Sequence, residues 1–173
     1  LMDYYKIKVT GIKDGSYSNS FKIKDKFFET FAQSEIISAD ISANTMLLKE
    51  GNEMSLSINI NGVVNNIPCD ICTEDISIPL SSSLNFILKE ENQDNNIEDD
   101  IIYLKSKENK ICIQKYLFEM IVLAMPNKRR HKLNSTDKGE CNKEMVNLIN
   151  KYTERTKKLS DPRWEALKDI KLK

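Results

Sequence analysis

Histidine is nearly absent from this chain: His131 is the only one among 173 residues. A metal site built mainly from imidazole is therefore excluded, and a catalytic histidine would have to sit at that single position. Glycine is scarce as well. The five glycines are scattered, and no phosphate-cradling loop, nucleophile elbow or His-Glu-x-x-His run is present. No apolar run approaches the roughly 18 residues that a membrane-spanning helix needs. The opening residues, Leu1-Met2-Asp3-Tyr4-Tyr5-Lys6, lack the basic and apolar regions of a secretory signal, so a cytoplasmic protein is expected. Cysteine is sparse too. Cys69, Cys72, Cys112 and Cys141, spread over a chain this long, look more like metal ligands or free thiols than a disulfide framework.

What is present fits one domain with a real core, 40% apolar and 30% charged. The net charge of zero conceals a division: residues 1–104 hold 8 Lys+Arg against 17 Asp+Glu, and residues 105–173 hold 18 against 9. Two readings follow. Either the halves neutralise each other within a single fold over 1–173, or the basic half offers a surface to a polyanion such as RNA.

The acidic half reads as mainly β. Tyr5 to Val9 alternates, and Lys22 to Lys24 suggests a second short strand, after which Asp25 is placed to N-cap a short helix carrying Phe27, Phe28 and Phe31. Ile37, Ala39, Ile41 and Ala43 alternate with polar residues, as do Met54 to Ile60 and Ile76 to Leu88, with Asn61-Gly62 reading as a turn or bulge. Lys89 to Asp100 is an acidic loop whose spacing does not match a calcium loop. Ile101 to Leu104 suggests one more strand. The economical arrangement is an antiparallel sheet, as a meander or with barrel-like closure, covered by helices: an α+β fold.

The basic half reads as helical. Ile113, Tyr116, Leu117, Met120, Ile121 and Ala124 form one apolar stripe, stopped by Pro126. A basic cluster follows at Lys128, Arg129, Arg130 and Lys132, with further lysines and arginines to Lys158; such residues seek phosphate but carry no sequence preference. Asn142 is placed to cap a helix bearing Met145, Leu148, Ile149 and Tyr152. Asp161-Pro162 then starts a last, tail helix in which Arg163 and Trp164 are candidates for docking a partner.

Pro68-Cys69-Asp70-Ile71-Cys72 carries the chemistry. A two-residue gap lets both thiolates grip one tetrahedral metal, and His131 and Cys141 are the candidates for the opposite edge, giving a structural zinc site of three cysteines and one histidine. A metal-free turn is the alternative, because nine residues separate His131 from Cys141 and no glycine follows Cys72. Thiol redox chemistry is the third reading. It is disfavoured because no helix follows the pair and Asp70, Glu74 and Asp75 should raise the thiol pKa. Cys112, beside the apolar stripe, reads as an inert small hydrophobe.

The order of these pieces resembles the bacterial YceD family, the large ribosomal RNA subunit accumulation proteins. The resemblance rests on the Cys-x-x-Cys after an alternating strand, the acidic stretch ending Asp99-Asp100-Ile101, Glu119 to Pro126 (Glu-Met-Ile-Val-Leu-Ala-Met-Pro), Gly139-Glu140-Cys141, and Asp161 to Lys168 (Asp-Pro-Arg-Trp-Glu-Ala-Leu-Lys). It runs from about Ile58 to the C-terminus. It implies a non-enzymatic cytoplasmic factor required for accumulation of the large-subunit (23S) ribosomal RNA. Taken with the basic half, the expectation is contact with that RNA or a pre-ribosomal particle; the alternative is a protein–protein adaptor whose Trp164 tail docks on a ribosomal protein or biosynthetic partner. Many members carry Cys-x-Arg-Cys where this chain has Cys69-Asp70-Ile71-Cys72, and some have a second Cys-x-x-Cys where this chain has His131 and Cys141.

Overall fold

The alternation running from Ser38 to Leu88 becomes three long strands, because each places its apolar residues on one side of a pleated sheet. In the computed structural model, residues 4–32, 34–90, 100–104, 109–131 and 141–157 are described. They form β1 (Lys6–Lys8), β2 (Gly15–Ile23), α1 (Asp25–Phe28), β3 (Ser38–Glu50), β4 (Glu53–Pro68), β5 (Asp75–Glu90), β6 (Ile101–Leu104), β7 (Lys110–Cys112), α2 (Gln114–Ala124) and α3 (Lys143–Lys157). The fold is α+β, as expected.

Strands β2, β3, β4, β5 and β6 make a five-stranded sheet in that order, and β1 pairs separately with β7. The sheet is open, with β2 and β6 at its edges, so the barrel-like alternative does not apply. The purely antiparallel expectation also needs correction. β6 runs parallel to β5, with Ile87 opposite Ile101, and the Ile87 N–H donates to the Asp100 carbonyl at 2.9 Å. The acidic segment read as a loop falls mostly at 91–99, outside the described residues.

The chain divides into two compact units, Leu1–Ile67 with Ser77–Asn127, and Pro68–Ile76 with Lys128–Lys173. In the first, Ala39, Ile41, Ala43 and Leu47 of β3 and Leu56, Ile58 and Ile60 of β4 are buried. α1 and α2 contribute Phe27, Phe28, Leu117, Met120 and Ile121 to this core. Phe31 stacks on Phe118 with ring centroids 3.9 Å apart, and Phe86 of β5 meets Tyr116 at 5.0 Å. The polar start of α2 is satisfied inside: the Gln114 side-chain amide donates to the Thr30 hydroxyl at 2.8 Å.

Several local readings change. The second strand is longer than Lys22–Lys24 because β2 pairs with β3 from Gly15 onward. Asp25 is the first residue of α1, and its carboxylate accepts the Ala39 N–H at 3.1 Å instead of capping its own helix. Ile37 lies just outside β3 and is 72% exposed, so the inward alternation begins at Ala39.

Asn61-Gly62 makes no turn; Gly62 sits within β4 opposite Ile41. The reason is close approach of the neighbouring backbone. A Cβ added to Gly62 would lie 2.6 Å from Ile41 Cα and nearer still to the Asp40 carbonyl oxygen. Gly62→Ala should therefore force the two strands apart, at roughly 1–3 kcal/mol, the usual cost of overpacking. A lowered urea midpoint with unchanged slope is the expected result; an unchanged midpoint would rule out this reading of the glycine.

Candidate metal centre

The alternation of β4 points Leu56, Ile58, Ile60 and Val64 inward, which by itself would turn Cys69 outward. Asn66 prevents this. Its φ of 56° places it in the left-handed region, the inward phase moves by one residue, and Ile67 and Cys69 are each only 1% exposed. Asparagine tolerates this conformation better than most side chains.

A tight turn follows. The Thr73 N–H donates to the Cys69 carbonyl at 3.0 Å, and the Cys69 N–H donates to the Glu74 carbonyl at 2.9 Å. The turn requires a left-handed residue after Cys72, where glycine would fit most easily, and Thr73 takes that role at φ 62°. The absence of glycine therefore does not prevent the turn. Its hydroxyl also donates to the Cys72 carbonyl at 2.6 Å.

The turn brings the predicted ligands together. Cys69 Sγ lies 3.6 Å from Cys141 Sγ, and Cys72 Sγ lies 3.6 Å from His131 Nδ1. The four donor atoms all lie within 4.8 Å of one another. Tetrahedral zinc, with sulfur at about 2.3 Å and nitrogen at about 2.0–2.1 Å, would set the S···S edges near ~3.8 Å and the S···N edges near ~3.6 Å. The donor set fits such an ion with little movement. All four residues belong to the second compact unit, and the spacing between His131 and Cys141 does not keep them apart.

The electrostatics favour at least one thiolate. Burial pushes the Cys69 thiol up, but the N–H groups of Cys72, Ile71 and His131 and the Cys141 thiol outweigh it, bringing the pKa from 9.0 down to about 6. Cys141 shows the complementary effect: burial, then contact with the Cys69 and Cys72 sulfurs and their charge, pushes it up to about 12. Without a cation the cluster holds negative charge on Cys69 and refuses more of it at Cys141. A divalent ion would remove that conflict. The expected rise at Cys69 from neighbouring carboxylates is thus overturned.

Asp70 has a structural role. Its carboxylate accepts the Arg129 N–H at 2.7 Å, and its own N–H donates to the Arg129 carbonyl at 2.7 Å. The first step of the basic cluster is thereby fixed to the cysteine turn by two bonds in opposite directions. Sequence reading missed this role; the available signal was a short carboxylate inside the cysteine pair, suited to bonding backbone N–H groups.

Of the residues predicted to meet RNA, Lys128 and Arg130 are exposed and Arg129 is half-buried, while Lys132 lies outside the described residues. Arg163 and Trp164, proposed to dock a partner, also lie outside them. Asn142 does begin α3, its side-chain oxygen accepting the Glu144 N–H at 2.9 Å. Cys112 is exposed on β7, contrary to the buried role expected, because Ile111 and Ile113 on either side take the inward positions.

The strained position gives a direct check on the turn. Thr73→Gly removes a left-handed β-branched residue, whose strain is about 1–2 kcal/mol, against an added unfolded-chain entropy of roughly 0.5–1 kcal/mol. A gain of up to about 1 kcal/mol in denaturant unfolding is expected. Loss of stability would show that the strain at Thr73 is smaller than the chain entropy and the hydroxyl's bond to the Cys72 carbonyl together.

No curated protein and no solved structure matches this chain. A family model does match, that of the large ribosomal RNA subunit accumulation protein YceD, over residues 56–171. This span contains the cysteine pair, His131, Cys141 and the basic cluster, as well as most of β4, all of β5 to β7 and both longer helices. The chain belongs to the YceD family.

Proposed function

We propose that this chain is a non-enzymatic factor in accumulation of the large-subunit ribosomal RNA, which binds that RNA or an assembly intermediate through Lys128, Arg129, Arg130 and Lys132. A structural zinc held by Cys69, Cys72, His131 and Cys141 keeps the basic segment in place. The observation that carries the reading is the pair of hydrogen bonds between Asp70 and Arg129 beside a cluster of four candidate ligands. Phosphate-seeking side chains are thereby attached to a fixed turn and not to a free loop, which lowers the entropy lost on binding. The family's description supplies the link to ribosomal RNA. Action in the cytoplasm is part of the same proposal; among the described residues no helix is long and apolar enough to cross a membrane.

The second unit supports a role for metal. Among its described residues, the buried apolar side chains are Cys69 and Cys72. A metal bound by these thiols would staple the turn to the segments that carry His131 and Cys141. The zinc would supply a charge that settles three thiolates and a neutral imidazole, and it has no open position for chemistry when all four ligands are engaged.

An adaptor reading competes with direct RNA binding. Leu148 and Ile149 on α3 are 51% and 41% exposed, which gives a protein partner apolar area to cover, with RNA affected indirectly. Salt separates the two. Direct binding to a large-subunit RNA fragment should weaken steeply as salt rises, with a slope near 0.7 per phosphate contact for single-stranded segments. Replacing Lys128, Arg129 and Arg130 with Gln should shallow that slope and lower affinity. Unchanged affinity in the triple variant would favour the adaptor.

Protein purified without chelators should carry close to one zinc per chain by elemental analysis, and Cys141→Ser should lose most of it. Absence of near-stoichiometric metal would sink the zinc proposal. The thiol shift also sets a pH dependence for the metal-free chain. A folded pKa below the unfolded value gives stability that is complete above 9.0 and is lost as the pH falls through about 6. Thiolate absorbance in the ultraviolet should titrate near that lower value in the wild type and disappear there in Cys69→Ser; zinc affinity should decline over the same range as protons compete for sulfur.

A further inference from the structure

The face of the five-stranded sheet turned away from the core differs from an ordinary solvated surface. Cross-strand ladders such as Ser20–Asn44–Asn59 occupy it, although nearly a third of the chain is charged. No Lys or Arg occurs between Lys49 and Lys89. Toward the β3–β4 turn the same face becomes apolar: Met46, Leu48 and Ile87 are 52%, 39% and 51% exposed. Leu48 and Ile87, with Met54, line a cleft of about 540 Å³ whose rim carries Glu50, Glu53 and Lys89.

The two carboxylates on that rim are set against each other. Glu50 and Glu53 are direct cross-strand partners flanking Gly51-Asn52, and neither has an ion pair among the described residues. Like charges in directly opposed positions destabilise a hairpin. A cation arriving between them would relieve that repulsion, while the apolar floor would take an aliphatic side chain next to it.

We propose that this end of the sheet is a docking surface for a basic protein segment, one that carries Lys or Arg beside a Leu, Ile or Val. The charge pattern selects that occupant. Phosphate groups of RNA would meet two carboxylates and are disfavoured. A second copy packed about a two-fold axis would bring up the same rim, with two carboxylates to one lysine, leaving like charge in excess across the seam. A basic segment satisfies both the carboxylates and the apolar floor. This proposal does not depend on the basic cluster binding RNA or on the metal centre, since all its residues lie in the first compact unit.

The test uses the whole chain and a short synthetic peptide alternating Lys with Leu, blocked at both ends, followed by backbone amide shifts in solution. Saturable shifts are expected at residues 46–55 and 85–89. A peptide with Glu in place of Lys, and one with Ser in place of Leu, should bind about tenfold more weakly or worse, as should the Glu50→Lys/Glu53→Lys and Leu48→Ser variants. These variants alter exposed or half-exposed side chains, and unchanged amide positions elsewhere in the chain will show that they fold. Equal binding of the acidic peptide, undiminished affinity in the variants, or shifts confined to other regions would overturn the proposal. So would perturbation of these same amides by a short uridine oligonucleotide, or by raising the protein concentration without peptide, which would identify RNA or a second copy as the occupant.

Discussion

The cluster of Cys69, Cys72, His131 and Cys141 depends on the backbone of two residues that belong to none of its four positions. Asn66 and Thr73 are both left-handed without being glycine, and both lie within a few residues of Cys69. The first moves the inward phase of β4 by one residue so that Cys69 is buried; the second closes the turn that brings Cys72 round to the same side. Without the left-handed Thr73 the turn that closes on the Cys69 carbonyl would open, and the two thiols would no longer converge. Donor chemistry comes from side chains, but their convergence comes from local main-chain conformations that are individually unfavourable.

This explains which parts of the structure were legible from the amino acids. The four clustered residues could be named because only a few residue types suit zinc and this chain has few cysteines and one histidine, so the spacing of Cys69 and Cys72 left little choice. The strands from Ala39 to Leu88 were legible because period-two burial writes itself into the sequence. The parallel placement of β6 was not, since a short apolar run such as Ile101 to Leu104 carries no mark of its partner or direction. Cys112 was misread for a similar reason. Its neighbours Ile111 and Ile113 take the inward positions of a strand, whereas proximity to the α2 stripe suggested burial.

The role of glycine was misread in the opposite sense. Asn61-Gly62 has the composition of a turn, yet the pair lies in the middle of a strand, where the missing Cβ admits a neighbouring backbone. Conversely, no glycine follows Cys72, yet a left-handed residue is present. In both places the three-dimensional neighbourhood decides what the local sequence preference leaves open. Electrostatics were likewise set by bonding and not by sequence proximity: Asp70 stands next to Cys69, but its carboxylate is bonded to the Arg129 backbone.

The long interval between the ligands has a consequence for the order in which the molecule can be assembled. Cys69 and Cys141 are 72 positions apart, and β5, β6, β7 and α2 all lie between them. During synthesis the first two thiols emerge with half of a site, and its completion waits until every strand of the sheet has been made. An ion bound by all four residues would then close a long loop, whose entropy cost grows only slowly with length. The centre would thus record that synthesis has passed the sheet, and the basic segment would gain its fixed position only at that late stage.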